Sequence, residues 1–158
     1  MKHLIQTVGA IAMLTFATTP GEAAEIRTVN PDGLYDPAPN GYSHAMIVND
    51  LAFIAGQGGE TETGDLAPEF EAQVAQAYRN LAVALDGGGA RPEQVVRLTT
   101  YVVDHDQVRL AALTRQLKAV FGSHLPTQTL VPVPRLALDG MLFEVDAIAV
   151  LKSEDAAR

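Results

Sequence analysis

A small α+β domain is the fold this sequence predicts: a mixed five- to six-stranded sheet with two helices on one face. Three observations predict it. Apolar residues recur at three- and four-residue spacing in two segments, the pattern of two amphipathic helices. Short runs rich in Val, Ile, Thr and Tyr, bounded by Gly, Pro, Asn or Asp, read as strands. In chain order these elements run β-β-β-α-β-α-β-β, and two helices can cover only one face of a sheet.

The 158 residues suffice for one domain with a real core and hardly for two. Apolar residues make up 47% and charged residues 19%, the balance of a globular chain. The formal charge is −8 and there is no Lys/Arg run, which argues against binding a phosphate backbone, a local basic patch aside. With no cysteine, disulfides and thiolate chemistry are excluded.

Residues 1–24 read as an export signal and stand apart from the fold. Lys2 and His3 precede an apolar run from Leu4 to Ala17, and Gly21-Glu22-Ala23 supplies the small-x-small cleavage pattern. The run is too short, and too interrupted by Gln6 and Thr7, for a comfortable membrane span. The expectation is a mature domain over residues 25–158, periplasmic if the source is a Gram-negative bacterium and free of the membrane once cleaved. An uncleaved tether and a buried N-terminal helix are the alternatives.

Along the mature chain, Arg27–Asn30 reads as a short edge strand ended by Pro31-Asp32-Gly33. A loop punctuated by Pro37, Pro39 and Gly41 leads to His44–Val48 and Leu51–Gln57, a hairpin around Asn49-Asp50. Gly56-Gln57-Gly58-Gly59 ends the second of these strands in unshielded backbone, either a flexible turn or a place where a ligand approaches main-chain N–H groups. Glu69 to Leu85 is a helix with Phe70, Val74, Ala77/Tyr78, Leu81 and Leu85 on one stripe, stopped by Gly87-Gly88-Gly89. Val95–Val103 is a strand. Asp104 to Asp106 turn the chain and cap a second helix carrying Leu110, Leu113, Leu117 and Val120/Phe121, closed by Gly122.

The last two strands are Gln128–Val133 and Met141–Leu151. On the latter, Met141, Phe143, Val145, Ala147 and Ala149 share one apolar face. Leu142, Glu144, Asp146, Ile148 and Val150 share the other, which sets two carboxylates about 7 Å apart among apolar neighbours. That face is either solvated or a site in which Glu144 acts on a bound molecule. Because so mixed a face is a liability when left open, another copy of the chain is expected to cover it.

Several segments together carry a family resemblance. They are Tyr42-Ser43-His44-Ala45, Ile54-Ala55-Gly56-Gln57, Asp65-Leu66, Gln73 with Asn80-Leu81, the stretch from Gly88 to Val103, Pro126-Thr127-Gln128-Thr129 and Glu144-Val145-Asp146. In this combination the chain resembles the RidA/YjgF (endoribonuclease L-PSP-like) family. The resemblance implies the chorismate mutase-like fold of that family, a homotrimer with its sheets turned inward, and small-molecule clefts between subunits. It further implies hydrolytic deamination of reactive 2-imino and 2-enamino acids. In that reading Glu144 positions the water, Tyr42 walls the cleft, Gly56 and Gln57 form its loop, and Gln128 with Thr129 lines the substrate side. The chain departs from the family pattern at Gln128, where the family has the arginine that holds the substrate carboxylate. An amide cannot neutralise a carboxylate or grip it with a guanidinium fork. Arg135 lies seven residues on and reads as a loop arginine.

Two functions therefore stand side by side: a hydrolase acting on imines or similar small electrophiles, and a non-catalytic binding or regulatory trimer whose cleft recognises a neutral small ligand. A ribonuclease is disfavoured by the acidic charge and the absence of basic-aromatic interleaving. No metal and no cofactor is expected, since His44, His105 and His124 lack ligand spacing and no phosphate-binding or dinucleotide fingerprint occurs. His44 is either an ordinary strand residue or part of the cleft beside Tyr42.

Overall fold

A computed structural model describes residues 23–151 of the chain. The export signal expected at residues 1–24 lies outside them, except for its last two residues.

The strands are β1 (Ile26–Val29), β2 (Ala45–Val48), β3 (Leu51–Gly58), β4 (Val95–Val103), β5 (Thr127–Val133) and β6 (Phe143–Val150). The helices are α1 (Phe70–Gly88) and α2 (Gln107–Phe121), and short 3-10 turns occupy Ala38–Asn40 and Pro92–Gln94. The element order is the one the sequence predicts. One six-stranded sheet results, in the order β1-β2-β3-β6-β4-β5. All neighbours are antiparallel except β4 and β5. That parallel pair needs a crossover, and α2 provides it. The late strand β6 thus inserts between β3 and β4, at the centre of the sheet.

Both helices lie on one face, and the alternation of β6 decides which. Phe143, Val145, Ala147 and Ala149 are buried against α1, with Leu81, Leu85, Leu98 and Leu113 completing the core. Phe143 packs edge-on to Phe70 and tilted against Tyr78. Burying a side chain of that size contributes about 2–3 kcal/mol. On the other face the register aligns Met46, Phe53 and Ile148 across β2, β3 and β6. Met46 is 42% and Phe53 41% exposed, and no described segment covers them.

Several strand ends shift by a residue or so, and two larger boundary differences have identifiable reasons. Helix α1 runs through Gly87 and Gly88 and stops only at Gly89, whose φ of 82° is the left-handed C-cap. Gly87 is required by close approach instead, since a Cβ there would meet Pro31 Cβ at 2.7 Å. Strand β6 begins at Phe143 rather than Met141 because a buried side chain takes over the backbone groups just before it. Gln73 Oε1 accepts from the Leu142 N–H at 2.8 Å, and its amide donates to the carbonyls of Gly140 and Ala67. The hairpin at Asn49-Asp50 forms as predicted, with Asn49 at φ 51°. So does the cap at Asp106, whose carboxylate accepts from the Arg109 N–H at 2.7 Å.

Candidate functional site

At one end of the β3–β6 pair the sheet opens into a cavity of about 680 Å³. Its floor is the backbone of Ala55, Gly56 and Gly58 on β3. Tyr35 and Tyr42, from the β1–β2 connection, wall one side; Leu138 and Met141, from the β5–β6 connection, wall another. Glu144 enters from β6 and Glu60 from the segment after β3.

The floor is glycine because the carboxylates lie directly over it. The register places Glu144 opposite Gly58, after an irregularity between Ile54 and Gln57. A Cβ on Gly56 would fall 2.2 Å from Glu144 Oε1 and 2.6 Å from its carboxyl carbon. A Cβ on Gly58 would fall 2.3 Å from Glu60 Oε2 and 2.5 Å from Met141 Cε. Any other residue at either position displaces a carboxylate. The segment carrying Glu60 is fixed to α1, since the Asn80 amide donates to the carbonyls of Gly58 at 3.0 Å and Glu60 at 2.8 Å. Gly59 lets that segment pass close to the backbone of Gln73, where a Cβ would stand 2.6 Å from Cα.

The electrostatics follow from this burial. Burial raises the pKa of Glu144, and the neighbouring carboxylates Glu60 and Asp146 raise it further. Burial also raises the pKa of Glu60, partly opposed by backbone N–H groups and His44. Tyr42 is pushed up to about 12 by burial and then by Glu60 and Glu144, so its hydroxyl keeps its proton. Burial lowers the pKa of His44, whose ring is therefore neutral at neutral pH. Its tautomer follows from its partners. Nε2 lies 2.8 Å from the Tyr35 carbonyl, which can only accept, so Nε2 carries the proton. Nδ1 then accepts from the Gln57 amide at 3.4 Å.

The structure brings Tyr42, Gly56 and Glu144 to one cavity and leaves the other sequence-predicted residues elsewhere. Gln57 is 1% exposed and lies beneath the floor, where its amide holds His44 and the Ala55 carbonyl. Gln128 stands on β5, in register with Leu98 of β4, which in turn pairs with Ala147 of β6. Its amide donates to Thr100 Oγ1 at 3.1 Å on the helix-covered side. Thr129 is in register with Thr99 and Asp146. Neither Gln128 nor Thr129 lines the cavity. Arg135 is exposed and pairs with Asp139 at 3.3 Å. The second carboxylate of the β6 face, Asp146, accepts from the Tyr101 hydroxyl at 3.2 Å.

The residue that sequence reasoning missed is Glu60. A signal for it existed: it is the first side chain after Gly58-Gly59, where the backbone turns from β3 towards α1. Tyr35 was also missed, in a proline-punctuated loop with no periodicity to mark it.

Comparison with known proteins agrees with this fold. Residues 35–151 match the family model described as endoribonuclease L-PSP. A RutC family protein of Aquifex aeolicus is 31% identical over 72% of this chain and 92% of its own length. The RutC family protein YjgH of Escherichia coli is 31% identical over 71% of this chain and 84% of its own. The crystal structure of RidA from an Antarctic Psychrobacter species superposes with a TM-score of 0.72 at 26% identity, covering 79% of this chain and 99% of that one. With one mixed sheet, two helices on one face and a match spanning the whole described fold from Tyr35 onward, the chain belongs to the RidA/YjgF, or endoribonuclease L-PSP, family.

Proposed function

We propose that the protein is a small-metabolite hydrolase of the deaminase type, which adds water to imines, enamines or related electrophiles with Glu144 as general base. Family membership supports a small-metabolite role, imine-deaminase-like or binding. The observation that carries the finer reading is the carboxylate of Glu144, laid over bare Gly56 backbone inside a cavity with its pKa raised. A carboxylate raised towards the working pH is a better proton acceptor than an ordinary surface one. An iminium carbon is already electrophilic, so holding it against an aimed water is most of the task. Tyr42, kept protonated, is a hydrogen-bond donor on the cavity wall.

Assembly belongs to the same proposal. Gln128 and Thr129 lie on an edge strand away from the cavity, so they serve it only if β5 of a neighbouring copy closes it. The uncovered row of Met46, Phe53 and Ile148 suits burial between copies. A homotrimer with inter-subunit clefts, exported to the periplasm, is the assembly we propose. Light scattering and intact-mass analysis of protein from the native host test the two parts.

A second reading, a non-catalytic trimer that binds a small ligand, draws on Gln128 replacing the family arginine. Nucleic acid is disfavoured, because Glu60, Glu62 and Glu144 all line the cavity. The deciding experiment follows the disappearance of imines made in situ by an oxidase. Wild type is expected to accelerate it and Glu144→Gln to abolish the gain, since an amide holds water but cannot accept its proton. Equal rates for the two proteins would replace the hydrolase by the binding module.

A further inference from the structure

We propose that this cavity is selective for a small organic cation, an amine or iminium ion that carries no carboxylate, with Glu60 as its counter-ion. The proposal rests on the reading of the cavity as the substrate site and names the class of substrate.

Three independent observations carry it. First, the lining includes Glu60, Glu62 and Glu144 and, among the described residues, no Lys, Arg or His. Second, Glu60 is 4% exposed, and its Oε2 is buried without a hydrogen-bond partner among the described residues. A buried carboxylate oxygen that accepts nothing is strongly unfavourable, and an N–H⁺ donor from a ligand would satisfy both its lone pair and its charge. Third, Tyr35 and Tyr42 meet edge-to-face, with centroids 6.4 Å apart, on the wall of the same cavity. Aromatic rings in a cavity wall are partners for a cation there.

The histidine beneath the cavity floor does not offset this at neutral pH. Burial lowers the pKa of His44, whose Nε2 lies 2.8 Å from the Tyr35 carbonyl, so its ring is neutral at neutral pH and acquires charge only in acid. A substrate carboxylate entering here would face three carboxylates and, among the described lining residues, no cation.

The chemistry balances for such a substrate. Water held by Glu144 adds to the carbon of R₂C=NH₂⁺, forming the C–O bond while Glu144 takes one proton. The carbinolamine nitrogen recovers that proton and the C–N bond breaks. The hydroxyl proton ends on the departing ammonia, leaving an aldehyde or ketone and ammonium.

The test uses two probes of matched size, benzylammonium and benzoate, titrated calorimetrically into the intact oligomer. Benzylammonium is expected to bind at least tenfold more tightly than benzoate. Glu60→Gln is expected to weaken benzylammonium at least tenfold, and Glu60→Asp to weaken it less. Equal affinities for the two probes, or benzylammonium binding that Glu60→Gln leaves unchanged, would overturn the proposal. If neither Glu60 variant folds, the ratio of the two probes on wild type decides it alone. A parallel assay compares an imine made from benzylamine by an amine oxidase with a 2-imino acid made by an amino-acid oxidase. Glu60-dependent cation binding without hydrolysis of either would sink the hydrolase and leave the cation site standing. Faster hydrolysis of the imino acid without ammonium binding would do the reverse.

Discussion

The two faces of β6 come from one alternating sequence and have opposite environments. Phe143, Val145, Ala147 and Ala149 are buried beneath the helices, whereas Glu144, Asp146 and Ile148 are half-buried and Val150 is exposed. The contrast repeats within the open face. Glu144 and Asp146 point the same way two residues apart, yet Asp146 is held by the Tyr101 hydroxyl while Glu144 lies over glycine in a cavity. What separates the two carboxylates is what their oxygens meet. The carboxylate of Glu144 fills the space that Gly56 leaves on β3, whereas that of Asp146 is taken up by the Tyr101 hydroxyl from β4.

The largest effect expected from this contrast lies on the covered face. Phe143→Ala removes a fully buried ring packed on Phe70 and Tyr78 and leaves a cavity, at a cost of about 3–5 kcal/mol. Urea unfolding measures it. A loss below about 1 kcal/mol would mean that the core closes over the gap and that the helix-covered face is less closely packed than described.

Glycine substitutions sharpen the comparison next. Gly56→Ala forces the Glu144 carboxylate aside, and because that carboxylate ends a flexible side chain, the fold should accommodate it. At least a tenfold loss of ligand binding or hydrolysis is expected, about 1.4 kcal/mol or more, with a smaller change in stability. Gly59→Ala should behave in the opposite sense. Its Cβ would press on the Gln73 backbone, with Cα at 2.6 Å and the carbonyl oxygen at 2.8 Å, so folding suffers first. Parallel denaturation and binding curves for the two variants separate the effects, and matching profiles would dissolve the distinction.

The sequence shows the covered face of β6 far more readily than the cavity, for a physical reason. Alternation is a local property, so Phe143 to Ala149 could be assigned to the core from spacing alone, as could the stripes of α1 and α2. The carboxylate of Glu144 was visible for the same reason. Its partner Glu60 was not, because the two meet only when β6 inserts beside β3, eighty-odd residues apart in the chain. The glycines misled in a related way. Gly87 and Gly88 look like helix stops but serve close approach to Pro31 and Ile47, neighbours that only the tertiary fold supplies. Gln57 looked like a loop residue offered to a ligand and proves to be the amide that orients His44. Gln128 and Thr129, carried over from the family pattern, stand on the far edge of the same sheet.

A further comparison sets Glu60 against the solvent by pH. Burial raises its folded pKa above the unfolded value, so the folded state holds the proton more tightly. Its contribution to stability is therefore most favourable below the ordinary carboxylate pKa and is lost as pH rises towards the folded value. Glu60→Gln removes that dependence. The stability difference, variant minus wild type, is expected to grow more positive from acid to neutral pH and then level off. Urea unfolding of both proteins across that range reads it directly. A difference that becomes more negative with pH would show that groups of this chain already stabilise Glu60 as the anion, leaving no uncompensated charge for a ligand to meet.

The smallest effect is expected at Asp146, and it tests whether the two carboxylates of the open face are truly different. Asp146→Asn keeps an acceptor for the Tyr101 hydroxyl and removes only a half-exposed charge. Stability should change by less than about 1 kcal/mol, within the range of a single partly solvated hydrogen bond. Because Asp146 is one of the carboxylates that raise the pKa of Glu144, its removal lets that pKa fall back slightly, in the direction of an easier deprotonation. The pH at which Glu144 becomes competent as a base should accordingly move down, while the hydrolysis rate above that pH stays where it was. A loss of hydrolysis as large as that of Glu144→Gln would place Asp146 in the reaction as well. The open face of β6 would then act through its two carboxylates together, and the glycine floor beneath Glu144 would not be what separates them.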